Sequence, residues 1–245
     1  MDIHFKPIGY LQSCYRDKFG TPRQPGLVSE AWSQLEILPE YQPEESLQGL
    51  EGFSHLWLLW LFHQNSSARF HAKVHPPRFG GESMGLFATR TPHRPNPIGL
   101  SLVKLERIEN SVLYFSGADI VDGTPILDIK PYLPFVESVP DAKIGWVQSA
   151  EEKQIQVLWT SEALVKLVMW EKLEPQVNVK LLAEQTLKLD PRPLIYRGQE
   201  GQENSEYRSE HACRLGLGDV HFRFLRADLV EIFDIHFLHN ELPNL

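Results

Sequence analysis

Only two cysteines, Cys14 and Cys213, stand near opposite ends of this 245-residue chain. That is too few and too far apart for a disulfide framework. No apolar run exceeds the seven residues of Leu56 to Phe62, LWLLWLF, far below the about 20 needed to cross a bilayer as a helix, so no membrane span is expected. The opening MDIHFKPIGY has no basic stretch followed by an apolar one, and we expect no secretory signal and a reducing, cytoplasmic setting. GxxxxGK[ST], HExxH and CxxC are all missing, which removes the common triphosphate and zinc signatures. The one GxG, at Gly216, has no third glycine and precedes a strand pattern, so a Rossmann dinucleotide site is excluded. His71 and His75 have a spacing of four, but Pro76 and Pro77 follow and no third ligand is suggested; no metal is expected. Repeats and low-complexity tracts are also lacking.

What the chain does have is concentrated in Gly80 to Leu100, GGESMGLFATRTPHRPNPIGL, with four Gly and three Pro around Arg90 and Arg94. Proline fixes φ and removes a donor, so Pro92, Pro95 and Pro97 predict a stiff, hydrogen-bond-poor loop carrying two guanidiniums. The plain alternative is a surface turn with solvated arginines. The net charge of -8 argues against a general nucleic-acid coat, but the charge is uneven. Val28 to Glu51 holds six acids and no Lys or Arg, whereas Gln64 to Lys104 holds Arg69, Lys73, Arg78, Arg90, Arg94 and Lys104 against the single acid Glu82. One basic face could meet phosphate while the whole stays acidic.

With 42% hydrophobic residues, the chain can build a real core. Residues 1–145 read as short strands between Pro/Gly loops, giving a mainly β fold with a small closed or half-closed barrel. The strand patterns are Phe5 to Leu11, Leu56 to Phe62, Met84 to Thr89, Ile98 to Leu105, Val112 to Phe115 and Ile126 to Ile129. The Leu56 to Phe62 run reads as a strand buried on both faces. Beyond Asp141 the pattern changes to a smaller α+β domain, 150–245. Ser161 is placed to cap one helix ending near Pro175, Val177 to Leu189 supports a second, and the GLGD at Gly216 to Asp219 predicts a hairpin between strands running from Tyr207 to Leu215 and on to Phe237.

Four segments join polar groups to backbone constraint: Thr21 to Gly26, presenting Arg23 and Gln24; His63, Gln64 and Asn65, just past the apolar strand; the Arg90 to Asn96 loop; and Asp119 to Tyr132, DIVDGTPILDIKPY. In the last, Asp122-Gly123 reads as a turn, and Asp128, Lys130 and Tyr132 share one strand face by their spacing of two. Singly each has a bland reading, such as a turn or an exposed ion pair. Together in one β domain they point to a site.

The pieces PRQPGL at Pro22, GLEGFSHLWLLWLFHQ at Gly49, PPRFGG at Pro76, GLFATRTPHRPNPIGLS at Gly85 and DIVDGTPILDIKPYLPF at Asp119 resemble the TsaA-like or TrmO-like family of S-adenosylmethionine-dependent tRNA methyltransferases. DPRPLIY at Asp190 resembles a C-terminal motif of the two-domain bacterial members. The resemblance implies a β-barrel methyltransferase fold, a homodimer, and methylation of N6 of threonylcarbamoyl-adenosine at tRNA position 37, giving m6t6A in threonine tRNA reading ACY codons. It implies a cofactor pocket made by Pro22, Arg23, Gln24, His63, Gln64, Arg90, Leu100 and the segment Thr124, Pro125, Ile126 and Leu127. Arg23 or Arg90 would grip the cofactor carboxylate, and Leu100 and Ile126 would flank its adenine. Asp128, Lys130 and Tyr132 are the catalytic candidates, for moving the N6 proton or orienting the carbamoyl group, with Lys130 as an alternative partner of the threonyl carboxylate. The second domain, with Arg192, Tyr196 and Arg197, is expected to help orient the anticodon stem. A non-catalytic S-adenosylmethionine sensor and a small-molecule methyltransferase are the rival readings.

Overall fold

The structure, a computed structural model, describes residues 4–65, 70–76, 82–149, 154–198, 200 and 209–237. Arg69, Arg78, most of the PPRFGG segment and Tyr207 lie outside these. In the first half, alternation at strand period produces β1 (Gly9–Ser13), β2 (Ser33–Glu36), β3 (His55–Leu61), a short hairpin β4 (Lys73–Val74) and β5 (Met84–Gly85), then β6 (Ile98–Glu109), β7 (Val112–Ser116) and β8 (Thr124–Pro131). Six of them close into a barrel in the order β1-β2-β7-β6-β3-β8, with β8 pairing back onto β1. All these barrel pairings are antiparallel. Closure removes the sheet edges that would otherwise need covering.

Side-chain alternation sets the core. Leu56, Leu58 and Trp60 of β3 point inward with Leu11, Leu35, Val103, Leu113, Phe115 and Ile126, all buried. Full burial of such side chains contributes about 1.5–3 kcal/mol each. The other side of β3, Trp57, Leu59 and Leu61, is only half-buried, which corrects the expectation of a strand buried on both faces. An apolar residue on a barrel wall can be run-continuous in sequence without having a partner on its outer side within the same chain. Met84 to Thr89 is likewise not one strand: two residues pair in β5 and Leu86–Ala88 turn as a 3-10 helix.

Gly99 shows why the β6 sequence is what it is. A Cβ there would meet the Trp60 ring at 2.2 Å, so only glycine lets the indole lie across β6. That placement brings Trp60 Nε1 to 3.0 Å from Ser101 Oγ, inside the barrel.

The remainder forms a four-stranded sheet, β10-β11-β12-β9, from β9 (Gln156–Trp159), β10 (Glu210–Leu215), β11 (Gly218–Arg226) and β12 (Leu229–Phe237). The hairpin expected at Gly216 joins β10 to β11. After the short helices α1 (Pro43–Ser46) and α2 (Pro134–Glu137), two longer ones, α3 (Ser161–Leu173) and α4 (Val179–Lys188), accompany this sheet, α3 against β12 and α4 against β9. The α3 cap is Thr160, not Ser161: its hydroxyl accepts the Ala163 N–H at 3.2 Å. Asn178 caps α4 in the same way, at 3.0 Å from the Leu181 nitrogen. No helix among the described residues is long and apolar enough to cross a membrane.

The second core reaches back into the first half. Trp170, Leu182, Cys213, Leu215 and Phe222 pack with Cys14, Tyr15, Val28 and Ala31 from the β1–β2 loop. An isolated bridge pairs Tyr15 with Leu215, and the Gly216 N–H donates to the Cys14 carbonyl at 2.7 Å.

The DPRP segment is structural. Arg192, 3% exposed, forks onto Asp190 at 2.8 and 3.1 Å, donates to Glu200 at 2.9 Å and lies 3.4 Å over the Phe224 ring. Its guanidinium is therefore committed inside the fold, which corrects its expected part in orienting an anticodon stem. Arg197 joins the same group at 3.2 Å from Asp190.

Candidate active site

Because β1, β3 and β7 all end at one mouth of the barrel, the loops 14–32, 62–97 and 117–123 gather there. These loops carry Pro22, Arg23 and Gln24; His63, Gln64 and Arg90; and Asp119. The core just described fixes the first of them. Phe19 stacks on His211 and Phe222, Gly20 packs beside Cys213, and Gln185 accepts the Glu30 N–H at 3.3 Å. The second domain thus holds the loop that presents Pro22 to Gln24.

The loops also hold one another. Arg90 Nη1 donates to Gln24 Oε1 at 2.6 Å, and Gln24 Nε2 donates to the Arg23 carbonyl at 2.5 Å. Lys18 Nζ reaches the Gln64 carbonyl at 2.8 Å, and Asn65 Nδ2 the Pro92 carbonyl at 2.7 Å. Proline carbonyls without matching N–H groups leave such acceptors open to side chains, so the Pro-rich loop is stitched to the end of β3. Arg94 turns inward on its own loop, donating to the Thr89 carbonyl at 2.8 Å beside Phe87. Arg23 and Arg90 remain exposed at the mouth. Lys104 is paired with Glu106 at 3.0 Å.

The Thr124 to Leu127 segment divides. Thr124 and Ile126 face the core, Ile126 fully buried, and the Thr124 hydroxyl donates to the Val121 carbonyl at 2.6 Å. Leu100, 54% exposed, projects from the outer side of β6. Leu100 and Ile126 thus lie on opposite sides of the barrel wall, and they do not flank one adenine as expected. Pro125 and Leu127 are the side chains of the segment that keep partial exposure.

Asp128, Lys130 and Tyr132 run down the outer side of β8, away from the mouth. Lys130 Nζ pairs with Asp128 Oδ2 at 2.8 Å, and Lys130 lies opposite Trp57 in the sheet. Tyr132 meets Trp57 and His55 edge-on, at 5.9 and 6.5 Å between ring centres. The hydrogen bond and charge of Asp128 hold the Lys130 ammonium above its usual range. Leu59 separates Asp128 from Leu100 across the sheet, so these residues share the outer wall that begins at the mouth.

One residue that opens a candidate segment, Asp119, was given no role of its own by the sequence. Asp119 accepts a 2.5 Å hydrogen bond from Ser101 Oγ, which itself accepts from Trp60. Burial pushes its carboxyl up to about 6, against the opposing pull of the Ser101 hydrogen bond and the more distant Arg90 charge. Its signals in the sequence were its place at the head of DIVDGTP and its setting between apolar Ala118 and Ile120. Among the described residues, no group of His, Cys, Asp and Glu is arranged to hold a metal ion.

A closed barrel whose mouth gathers an arginine, glutamines and a partly buried carboxylate under Pro-rich loops defines a β-barrel ligand-binding domain outside the Rossmann class, with an α+β domain packed on one loop. The tRNA-methyltransferase O N-terminal domain model matches residues 10–138, and the TrmO C-terminal domain model residues 152–238. A tRNA (adenine(37)-N6)-methyltransferase of Escherichia coli K12 is 45% identical over 81% of this chain and 86% of its own length. A putative S-adenosylmethionine-dependent methyltransferase of Pseudomonas aeruginosa is 43% identical over 94% and 96%. A crystal structure of TrmO from Pseudomonas aeruginosa superposes with a TM-score of 0.76 at 39% identity, covering 96% of this chain and all of that one. The chain belongs to the tRNA-methyltransferase O family.

Proposed function

We propose that this protein transfers a methyl group from S-adenosylmethionine to N6 of threonylcarbamoyl-adenosine at position 37 of tRNA, giving m6t6A in threonine tRNA that reads ACY codons. The observation that carries the reading is the match of both family domains over one chain. It is supported by the relatives of Escherichia coli and mouse, which are named tRNA (adenine(37)-N6)-methyltransferases.

The donor set at the mouth fits this cofactor: guanidiniums for a carboxylate, amides for an adenine edge, and a desolvated carboxylate for a cation. When bound, S-adenosylmethionine supplies a methyl group on a sulfonium, open to direct displacement. The protein's part is then to align donor and acceptor at about 3–3.5 Å and to keep water out, with no covalent nucleophile. Arg90, set by Gln24, holds the carboxylate end at the mouth. The mouth end of the β8 outer wall receives the acceptor, with Tyr132, farther along, as a stacking surface for a neighbouring unpaired anticodon-loop base. Lys130, kept a cation by Asp128, is better suited to bind the threonyl carboxylate than to remove a proton. The half-exposed Trp57, Leu59, Leu61 and Leu102, with the exposed Leu100, form an apolar outer wall, and a second copy of the chain packing near it would make the homodimer.

The reading is tested with labelled S-adenosylmethionine and tRNA carrying or lacking threonylcarbamoyl-adenosine, followed by nucleoside mass spectrometry. Methylated threonylcarbamoyl-adenosine from the modified tRNA alone is expected, and activity should fall steeply as salt rises, because phosphate contacts release counterions. Cofactor binding without transfer would favour the sensor reading, which the archaeal relative named a probable S-adenosyl-L-methionine-binding protein makes concrete. Within the same assay, Lys130→Ala is expected to raise KM for the modified tRNA by about 10-fold, the weight of one charge-assisted contact. An unchanged KM and turnover would remove Lys130 from the acceptor site.

A further inference from the structure

Asp119 has the features of a site and no use in the fold that accounts for them. It sits in the 117–123 loop at the barrel mouth, and the loop is anchored on both sides. The Gly117 N–H donates to the Ala31 carbonyl at 2.9 Å, and Asp122 accepts from the Ser13 N–H at 2.8 Å and pairs with Arg16 at 3.1 Å. Asp119 itself is not a turn cap. Its carboxylate points to Ser101, which is fully buried, and Ser101 is fixed by the Trp60 indole that Gly99 admits. Three residues from β3 and β6 are thus organised around one carboxylate oxygen.

That carboxylate, partly buried, keeps acceptor capacity open at the mouth. Among the described residues only the Ser101 hydroxyl and its own backbone N–H donate to it, and no Lys, Arg or His lies within ion-pair distance. An ionised carboxylate offers about four acceptor positions. Holding an acid largely out of water with no cation beside it costs folding free energy, and Asn at this position would accept the same Ser101 hydrogen bond without the charge. A purely structural role therefore explains the hydrogen bonds but not the acid. The charged and titratable groups that reach it are Arg90, from the loop above, and Tyr15, whose hydroxyl burial pushes far above its usual range so that it stays neutral.

We propose that Asp119 is the counter-charge for the α-ammonium of the bound cofactor, forming with Arg90 a clamp for the two ends of its amino-acid group. The α-ammonium and α-carboxylate hang on one carbon, so a carboxylate and a guanidinium at the same mouth match them as a pair. Arg90, oriented by Gln24, supplies the cation, and Asp119, oriented by Ser101 and Trp60, supplies the anion. This assignment rests on the cofactor reading above and adds a residue to it. It also gives a reason for the Gly99–Trp60–Ser101 arrangement: it aims the anion.

The sign of the pH dependence follows. The ammonium binds the ionised carboxylate, so affinity is full above about pH 6 and falls through and below it as Asp119 takes up a proton.

The test is calorimetric titration of the full chain with S-adenosylmethionine and, separately, S-adenosylhomocysteine, from pH 5 to 8, for the wild type, Asp119→Asn and Ser101→Ala. In the wild type both ligands are expected to weaken by about 5-fold between pH 6 and 5, as one group titrating at about 6 takes up its proton. Asp119→Asn should weaken both ligands by about 10- to 100-fold at pH 7.5, as expected for a charged hydrogen bond, and should flatten the pH dependence. Ser101→Ala should show a smaller loss and keep the pH dependence with a shifted midpoint. Thermal melting of the unliganded variants should show Asp119→Asn no less stable than the wild type. Binding by Asp119→Asn within twofold of the wild type, with the pH slope retained, would overturn the proposal. A loss confined to S-adenosylmethionine would place the contact at the sulfonium and overturn the ammonium assignment. Absence of binding by the wild type would instead remove the cofactor reading itself.

Discussion

Arg192→Ala is expected to destabilise the protein by about 3–5 kcal/mol, the range for removing one partner of a buried ion pair. The guanidinium is 3% exposed and serves Asp190, Glu200 and the face of Phe224 at once. Without it two carboxylates stay in a space built around a cation; Asp190 keeps one charged partner, Arg197 at 3.2 Å, and Glu200 keeps the Gly198 N–H at 3.1 Å. For a chain of this size the melting temperature should drop by about 6–20 °C. Arg192→Lys should recover little, because a single ammonium cannot reproduce the planar fork or the stacking on Phe224. A melting curve decides the matter; a loss under 1 kcal/mol would mean that the cluster is wet and that the motif acts elsewhere. The effect should also be felt at the barrel mouth. Phe19 stacks on Phe222 and His211, and Tyr15 bridges to Leu215, so loosening this domain frees the loop that carries Pro22 to Gln24. KM for S-adenosylmethionine is therefore expected to rise in Arg192→Ala even below the melting transition.

The parts of this fold that could be read in the sequence are those where one local rule acts alone. The β6 alternation, the glycine turn between β10 and β11 and the capped helices follow from period, φ and side-chain caps; the turn and the helices are found within about two residues, while β6 starts where expected at Ile98 but runs on to Glu109. The misses have a different physics. Ser33–Glu36 and Gln156–Trp159 are strands because neighbours pair with them, β9 even in parallel with β12, and nothing in SQLE announces a partner far along the chain. Whether β3 is covered on one side or two is a property of what lies against the barrel wall. The site shows the same split. Arg90, Gln24 and Gln64 were legible because Pro and Gly mark the loops that hold them, and the structure brings those loops into hydrogen-bond contact. Asp119 was not, since its chemistry comes from burial, and Ile126 was misjudged because facing inward or outward depends on register at the β3–β8 bulge between Leu59 and Trp60.

For Arg90→Ala, kcat/KM for S-adenosylmethionine is expected to fall by about 100-fold, the loss of roughly 2–3 kcal/mol from a charged, geometrically fixed contact. Arg90 is one of the points where two of the mouth loops join, through the 2.6 Å bond to Gln24, so its removal takes away a charge and also the tie that orients Gln24. If Arg90 grips the cofactor in ground state and transition state alike, the loss appears as a raised KM for the cofactor with kcat changed less. Arg90→Lys restores the charge without the fork and should recover only part. Gln24→Ala, which leaves the guanidinium but not its orientation, should cost about 10-fold. The same variants measured against tRNA separate the two uses a basic loop can have. A cofactor grip leaves KM for tRNA nearly unchanged and leaves the salt dependence of tRNA binding intact. If the loss appears in KM for tRNA instead, and the slope of affinity against salt drops by about one phosphate contact, then Arg90 faces the nucleic acid, and the cofactor carboxylate must be held by Arg23.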